Sequence, residues 1–126
     1  MTQYSIGIMS GTSLDAIDGV LVGWNGVRMH VVARHSAAID TLLKAKLMAL
    51  TQPGPDEINR MVEAGRELTK GYVKCVHALL KAAGLAAKDI LAVGGHGQTI
   101  RHKPKGACPH TLQLLDGSWL SAHTGI

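Results

Sequence analysis

The stretch Ile6-Gly7-Ile8-Met9-Ser10-Gly11-Thr12-Ser13-Leu14-Asp15-Ala16-Ile17-Asp18-Gly19-Val20-Leu21-Val22 decides how the fold opens. Ile6 and Ile8, and then the apolar run over 17–22, read as two short strands. Ser, Gly, Thr and Asp between them read as a turn. Small residues, hydroxyls and a bare glycine suit phosphate binding, because successive unpaired N–H groups form an anion-binding concavity. The same residue types also build an ordinary polar hairpin, where steric fit alone favours them.

Working outward, the strands span residues 4–9 and 16–24. Asn25-Gly26 is a hairpin signal, followed by a third strand over 27–35. Val27, Met29, Val31 and Ala33 fall on one face of it, and Arg28, His30, Val32 and Arg34 on the other. His30 and His35 read as partly solvated strand residues. Asp40 is a good N-cap for a helix whose Leu43, Leu47 and Leu50 make one apolar stripe. Pro53-Gly54-Pro55 ends it, and Pro55 is expected to open the next helix with Asp56 and Glu57 in its first turn. Ile58, Met61, Val62, Leu68, Tyr72, Val76 and Leu79 carry that second stripe. Gly65 and Gly71 interrupt it, each costing roughly 1 kcal/mol relative to Ala, and Gly65 on the stripe predicts a close approach by another element. Gly84 suits the position just past the helix end.

The apolar run over 90–93 predicts a buried, parallel strand reached by the long helical crossover. Residues 94–99 then form a loop at its carboxyl end, where open α/β sheets place ligands. A basic, irregular segment over 101–110 leads to a last strand over 111–115 and a short helix over 119–122. Pattern alone supports an α/β fold with an antiparallel start.

Composition narrows the options. The 126 residues suit one compact domain, and the two Trp, two Tyr and absent Phe leave the core to aliphatic side chains. A net charge of +4 fits an anionic ligand and equally fits mere solubility. No Lys/Arg run interleaved with aromatics is present, which speaks against nucleic acid as a partner. Cys75 and Cys108 make neither a zinc spacing nor a disulfide framework, so a reduced, cytoplasmic setting is expected. No signal core or membrane-length apolar run occurs, so no membrane partner is expected.

Three blocks carry a resemblance. Met9-Ser10-Gly11-Thr12-Ser13-Leu14-Asp15 with Asp18, then Gly95-His96-Gly97-Gln98-Thr99 continuing to His102 and Pro104, then His110-Thr111-Leu112-Gln113-Leu114 occur in that order. Together they resemble the anhydro-N-acetylmuramic acid kinases, members of the actin-like, hexokinase-like ATPase superfamily. The resemblance implies the first half of an actin-like (ribonuclease H-like) ATPase domain, a mixed sheet with antiparallel opening strands flanked by helices. Residues 1–126 would then be a partial N-terminal domain, with a phosphate hairpin over 6–22, a substrate-loop candidate over 94–104, and the remainder of the enzyme absent.

The family implies an ATP-dependent kinase that opens 1,6-anhydro-N-acetylmuramic acid with water and phosphorylates O6, in cell-wall recycling. ATP and Mg²⁺ are the implied cofactors, the amino sugar the substrate, and a homodimer the expected state of the complete enzyme. Gly11, Thr12, Ser13, Leu14, Asp15, Ala16, Ile17 and Asp18 match the ATP-binding segment. Asp15 and Asp18 would repel phosphate directly but could hold Mg²⁺ through water; Asp15 also reads as a turn cap. Ala16 stands where the family often has Gly, which a negative φ tolerates. The superfamily often carries an Asp near the position of Met9; this chain does not, an absence that the family shares.

His96, Gly97, Gln98 and Thr99 match a substrate-facing loop, whose amide and hydroxyl groups suit a sugar and whose alternative is a hydrogen-bonded turn. A zinc site from His96, His102 and His110 has no i,i+4 pair or Cys partner to support it. The family's Asp-Phe-Arg and Gly-Gly-Gln-Gly segments, and the Asp proposed as its base, would fall beyond Ile126, so no catalytic residue is assigned within the chain. The chain alone is therefore expected to be inactive. A non-catalytic nucleotide- or sugar-binding fragment of the same fold is the rival reading.

Overall fold

Strand β1 (Gln3–Ser10) pairs antiparallel with β2 (Ala16–Trp24), with Ile8 opposite Gly19 and Ser10 opposite Ile17. The computed structural model describes all residues from Met1 to Ile126. Strand β3 (Met29–Ala38) extends this hairpin antiparallel on the outer side of β2. It begins two residues later than expected. The Asn25 side chain accepts hydrogen bonds from the Val27 N–H at 3.0 Å and the Arg28 N–H at 2.9 Å, which draws both residues into the turn.

Helix α1 (Thr41–Ala49) starts where Asp40 accepts the Leu43 N–H at 2.9 Å, and it buries Leu43 and Leu47. Helix α2 (Glu57–Ala83) is the long crossover and ends on Gly84 in the left-handed conformation, φ 65°. Its start corrects the expectation for Pro55. Asp56 has φ 51°, outside the helical region, so the helix opens at Glu57 rather than at the proline.

Ile58 and Val62 are exposed, because the first turns of α2 precede its buried face, which begins at Ala64. The close approach also lies elsewhere. A side chain at position 65 would meet nothing nearer than Leu114 Cβ at 4.0 Å, whereas a Cβ at position 71 would stand 2.5 Å from Ile17 Cδ1. Gly71, not Gly65, is the glycine that lets α2 sit down on the sheet.

A short 3₁₀ turn (Ala87–Asp89) leads into β4 (Ile90–Gly95), which runs parallel to β1 with Ile8 opposite Gly95. The sheet order is β3-β2-β1-β4. Parallel pairing is as expected, but burial is not: β4 lies at the sheet edge, and Leu91 and Ala92 are exposed. An apolar run implies cover on both faces, and an edge strand with one open face lacks it.

Residues 98–103, expected as loop and irregular segment, form β5 (Gln98–Lys103), which makes a separate hairpin with β6 (His110–Leu114), the strand expected over 111–115. Helix α3 (Gly117–Thr124) closes the described chain, with Asp116 accepting the Trp119 N–H at 2.9 Å as its cap.

The core lies on one face of the four-stranded sheet. Ile6, Ile8, Ile17 and Leu21 pack there against Leu68, Tyr72, Val76 and Leu79 of α2. The alternate residues Met9, Asp18 and Trp24 are exposed on the opposite face. No helix is long and apolar enough to cross a membrane.

Candidate functional site

Strands β1 and β4 are adjacent and parallel, so their carboxyl ends bring the Gly11–Asp15 turn and the His96–Gly97 connection to one edge of the sheet. In the first, the Leu14 N–H donates to the Gly11 carbonyl at 3.1 Å, placing Thr12 and Ser13 at the tip of a tight turn. The left-handed residue is Leu14, at φ 56°, rather than a glycine. Leu14 is 4 % exposed, and its buried side chain holds the backbone in that uncommon conformation.

The N–H groups of Gly11, Thr12, Ser13 and Asp15 donate to no protein acceptor, and Thr12 and Ser13 are exposed. Ala16 lies outside the positive-φ region, so its Cβ is accommodated.

The two acidic residues of the hairpin differ. Asp15 pairs with Lys44 at 3.2 Å, and hydrogen bonds from Lys44 and Ser13 hold its carboxyl below the ordinary value. Asp18 makes no ion pair and is exposed on the open face. Of the pair, Asp18 is the carboxylate free to meet a hydrated Mg²⁺, an ion that keeps several waters and needs few protein ligands. His96, His102 and His110 do not converge, and no group of three His, Cys, Asp or Glu side chains gathers to hold a metal.

A cavity of about 720 Å³ on the open face reaches His96 of the second segment and Asp18 of β2, but no residue of the turn over 11–15 lines it. Met9, Asp18, Arg34, Ser36 and His96 line it above the glycine floor of Gly7, Gly19 and Gly94. Gly11, Thr12 and Ser13 stand apart from it at the hairpin tip. Arg34 and Ser36 carried no sequence signal, because strand register alone sets them opposite Val20 and Asp18.

Within the second segment, the His96 N–H donates to the Ile8 carbonyl at 3.0 Å, and His96 is exposed. Gln98 is 2 % exposed; its Oε1 has no hydrogen-bond partner. Thr99 Oγ1 accepts from Gln113 Nε2 at 3.2 Å. Beneath the loop, the buried Ser10 hydroxyl lies 3.1 Å from the Gly97 carbonyl oxygen and 3.2 Å from the Tyr72 hydroxyl. Neither Ser10 nor Tyr72 belongs to the ATP-binding or substrate-loop residues that the motifs mark. The available signal was a tyrosine on an apolar helical stripe, since a buried phenol requires a polar partner.

A mixed α/β sheet opening with antiparallel strands and covered by helices on one face is the fold class expected from the sequence. Residues 3–126 match the family described as anhydro-N-acetylmuramic acid kinase, and the chain belongs to that family. An anhydro-N-acetylmuramic acid kinase of Shewanella halifaxensis is 42 % identical over 124 residues, covering 98 % of this chain and 34 % of that protein. A kinase of the same name from Shewanella sp. strain ANA-3 is 43 % identical over 123 residues, covering 98 % of this chain and 33 % of that protein. The chain thus spans about a third of the length of these relatives. Among solved structures, an Aquifex aeolicus PPX-GPPA enzyme is similar in outline, with a TM-score of 0.41 and 13 % identity over 75 % of this chain and 26 % of that one.

Proposed function

We propose that this chain supplies the phosphate hairpin and part of the sugar site of an ATP-dependent anhydro-N-acetylmuramic acid kinase. The reaction opens the 1,6-anhydro bridge with water and transfers the γ-phosphoryl group to O6, giving N-acetylmuramic acid 6-phosphate and ADP. The observation that carries this reading is the set of free N–H groups on Gly11, Thr12, Ser13 and Asp15, at the same sheet edge as His96. Successive unpaired backbone donors suit phosphate oxygens, and phosphoryl transfer depends chiefly on positioning and charge stabilisation.

In this reading the segment Gly11 to Asp18 binds ATP, with Thr12 and Ser13 adding hydroxyl donors. Asp18 faces the Mg²⁺ that neutralises the phosphates, while Asp15 braces the hairpin through Lys44. His96 meets the sugar from the surface, and Gly97, Gln98 and Thr99 complete the loop, with Gln98 buried behind it. The base that activates water is placed in the part of the relatives' length that this chain does not span. A cytoplasmic setting accords with a sugar phosphate that must be retained.

The test is Thr12→Ala with Ser13→Ala in a full-length kinase whose first 126 residues are this chain. Two lost charge-assisted donors, each contributing about 1.5 kcal/mol or more, raise the KM for ATP at least tenfold. An unchanged KM and kcat would remove the phosphate role.

A further inference from the structure

Three buried groups join the two proposed ligand segments from beneath. Ser10 is 2 % exposed, Tyr72 is fully buried, and Gly97 is buried between them. A carbonyl oxygen only accepts, so the single Ser10 hydroxyl proton goes to Gly97 at 3.1 Å. Ser10 Oγ must then accept from the Tyr72 hydroxyl at 3.2 Å, which fixes the direction of the whole chain of bonds. Burial pushes the Tyr72 phenol up from its ordinary value, which keeps it a donor.

The far end of this chain is equally constrained. Gly97 has φ +75°, and a Cβ there would stand 2.9 Å from the Leu114 carbonyl carbon and 3.1 Å from Leu115 Cβ. The neighbouring His96 N–H is fixed to Ile8 on β1. Ser10 is the residue before the phosphate turn, and Gly97 the residue after His96. The Ser10–Gly97 bond therefore links the roots of both segments across 87 positions of sequence.

We infer that Ser10 and Tyr72 are positioning residues, which hold the phosphate hairpin and the His96 loop as one rigid unit. This rests on the reading of those two segments given above. Replacing a whole buried network by apolar groups is often nearly neutral for stability, whereas removing one member leaves its partners unpaired, so stability and geometry must be read separately. Geometry is what a transfer between two bound substrates depends on.

The experiment uses Ser10→Ala and Tyr72→Phe in a full-length kinase beginning with this chain, with steady-state kinetics and amide exchange at His96. Ser10→Ala is expected to lower kcat about ten- to a hundredfold while both KM values stay within about threefold, because a misplacement near 1 Å acts on the transfer step. Tyr72→Phe gives a smaller fall in the same direction, and both variants exchange the His96 amide faster than the parent. Unchanged kcat in a folded variant overturns the inference, as does a loss of kcat that merely follows a loss of Tm. Should Ser10→Ala fail to fold, Tyr72→Phe, which removes one oxygen, decides alone. A parent enzyme that turns over no anhydro sugar defeats the proposed function instead. Exchange at His96 then still decides whether the clasp orders the loop, and unchanged exchange overturns it.

Discussion

Gly19 of β2 and Cys75 of α2 meet across the sheet–helix interface so closely that no Cβ fits between them. A side chain at position 19 would collide with Cys75 Sγ and stand 3.0 Å from Leu79 Cδ1. Gly19→Ala therefore forces a buried contact apart and is expected to destabilise the fold by about 1–3 kcal/mol. Cys75→Ala in the same molecule relieves part of that loss. A double-mutant cycle by urea unfolding checks the coupling, and simple additivity would mean that the two residues do not share the space.

Gly65 and Gly71 of α2 separate propensity from packing. Gly65→Ala gains up to about 1 kcal/mol of helix propensity, since Leu114 Cβ at 4.0 Å leaves ordinary room. Gly71→Ala gains the same propensity but meets Ile17 Cδ1 at 2.5 Å, so its net effect is a loss. Thermal unfolding of the two variants should move in opposite directions.

Burial pushes the Cys75 thiol up from its ordinary 9.0 to about 11, with the Asp18 charge adding to the shift. The native thiol then keeps its proton where the unfolded one loses it. Its contribution is complete below pH 9 and lost as pH rises towards about 11, at most about 2–3 kcal/mol. Unfolding midpoints measured from pH 8 upwards should fall less steeply in Cys75→Ala than in the parent. A residual slope is expected from Tyr72, whose phenol is also raised by burial.

At the hairpin the sign reverses. Lys44 and Ser13 depress the Asp15 carboxyl, so its stabilising charge is complete above its ordinary value of 3.8 and lost as pH falls through the lower native value. Lys44→Ala should return Asp15 most of the way to ordinary titration. A carboxyl NMR titration reads this directly, and an unmoved Asp15 would assign the depression to Ser13 alone.

Much of the outline was legible along the chain. The β2 limits, the Asp40 cap, the Gly84 helix end and the parallel character of β4 follow from alternation, helical stripes, residues with fixed backbone preferences and the long helical crossover. The three motif blocks likewise placed the chain in its family. What the sequence by itself determined was therefore local geometry and kinship.

Other features had no local cause. The left-handed Leu14 exists because its side chain is anchored in the core, and β4 is exposed because of where it lies in the sheet. Asp15 and Asp18 look alike in the turn, yet only Asp15 finds a lysine, 29 positions away. Ser10, Tyr72 and Gly97 meet across 62 and 87 positions. Tertiary structure alone decided these, since packing, burial and the completion of a buried hydrogen bond depend on partners that local periodicity cannot name.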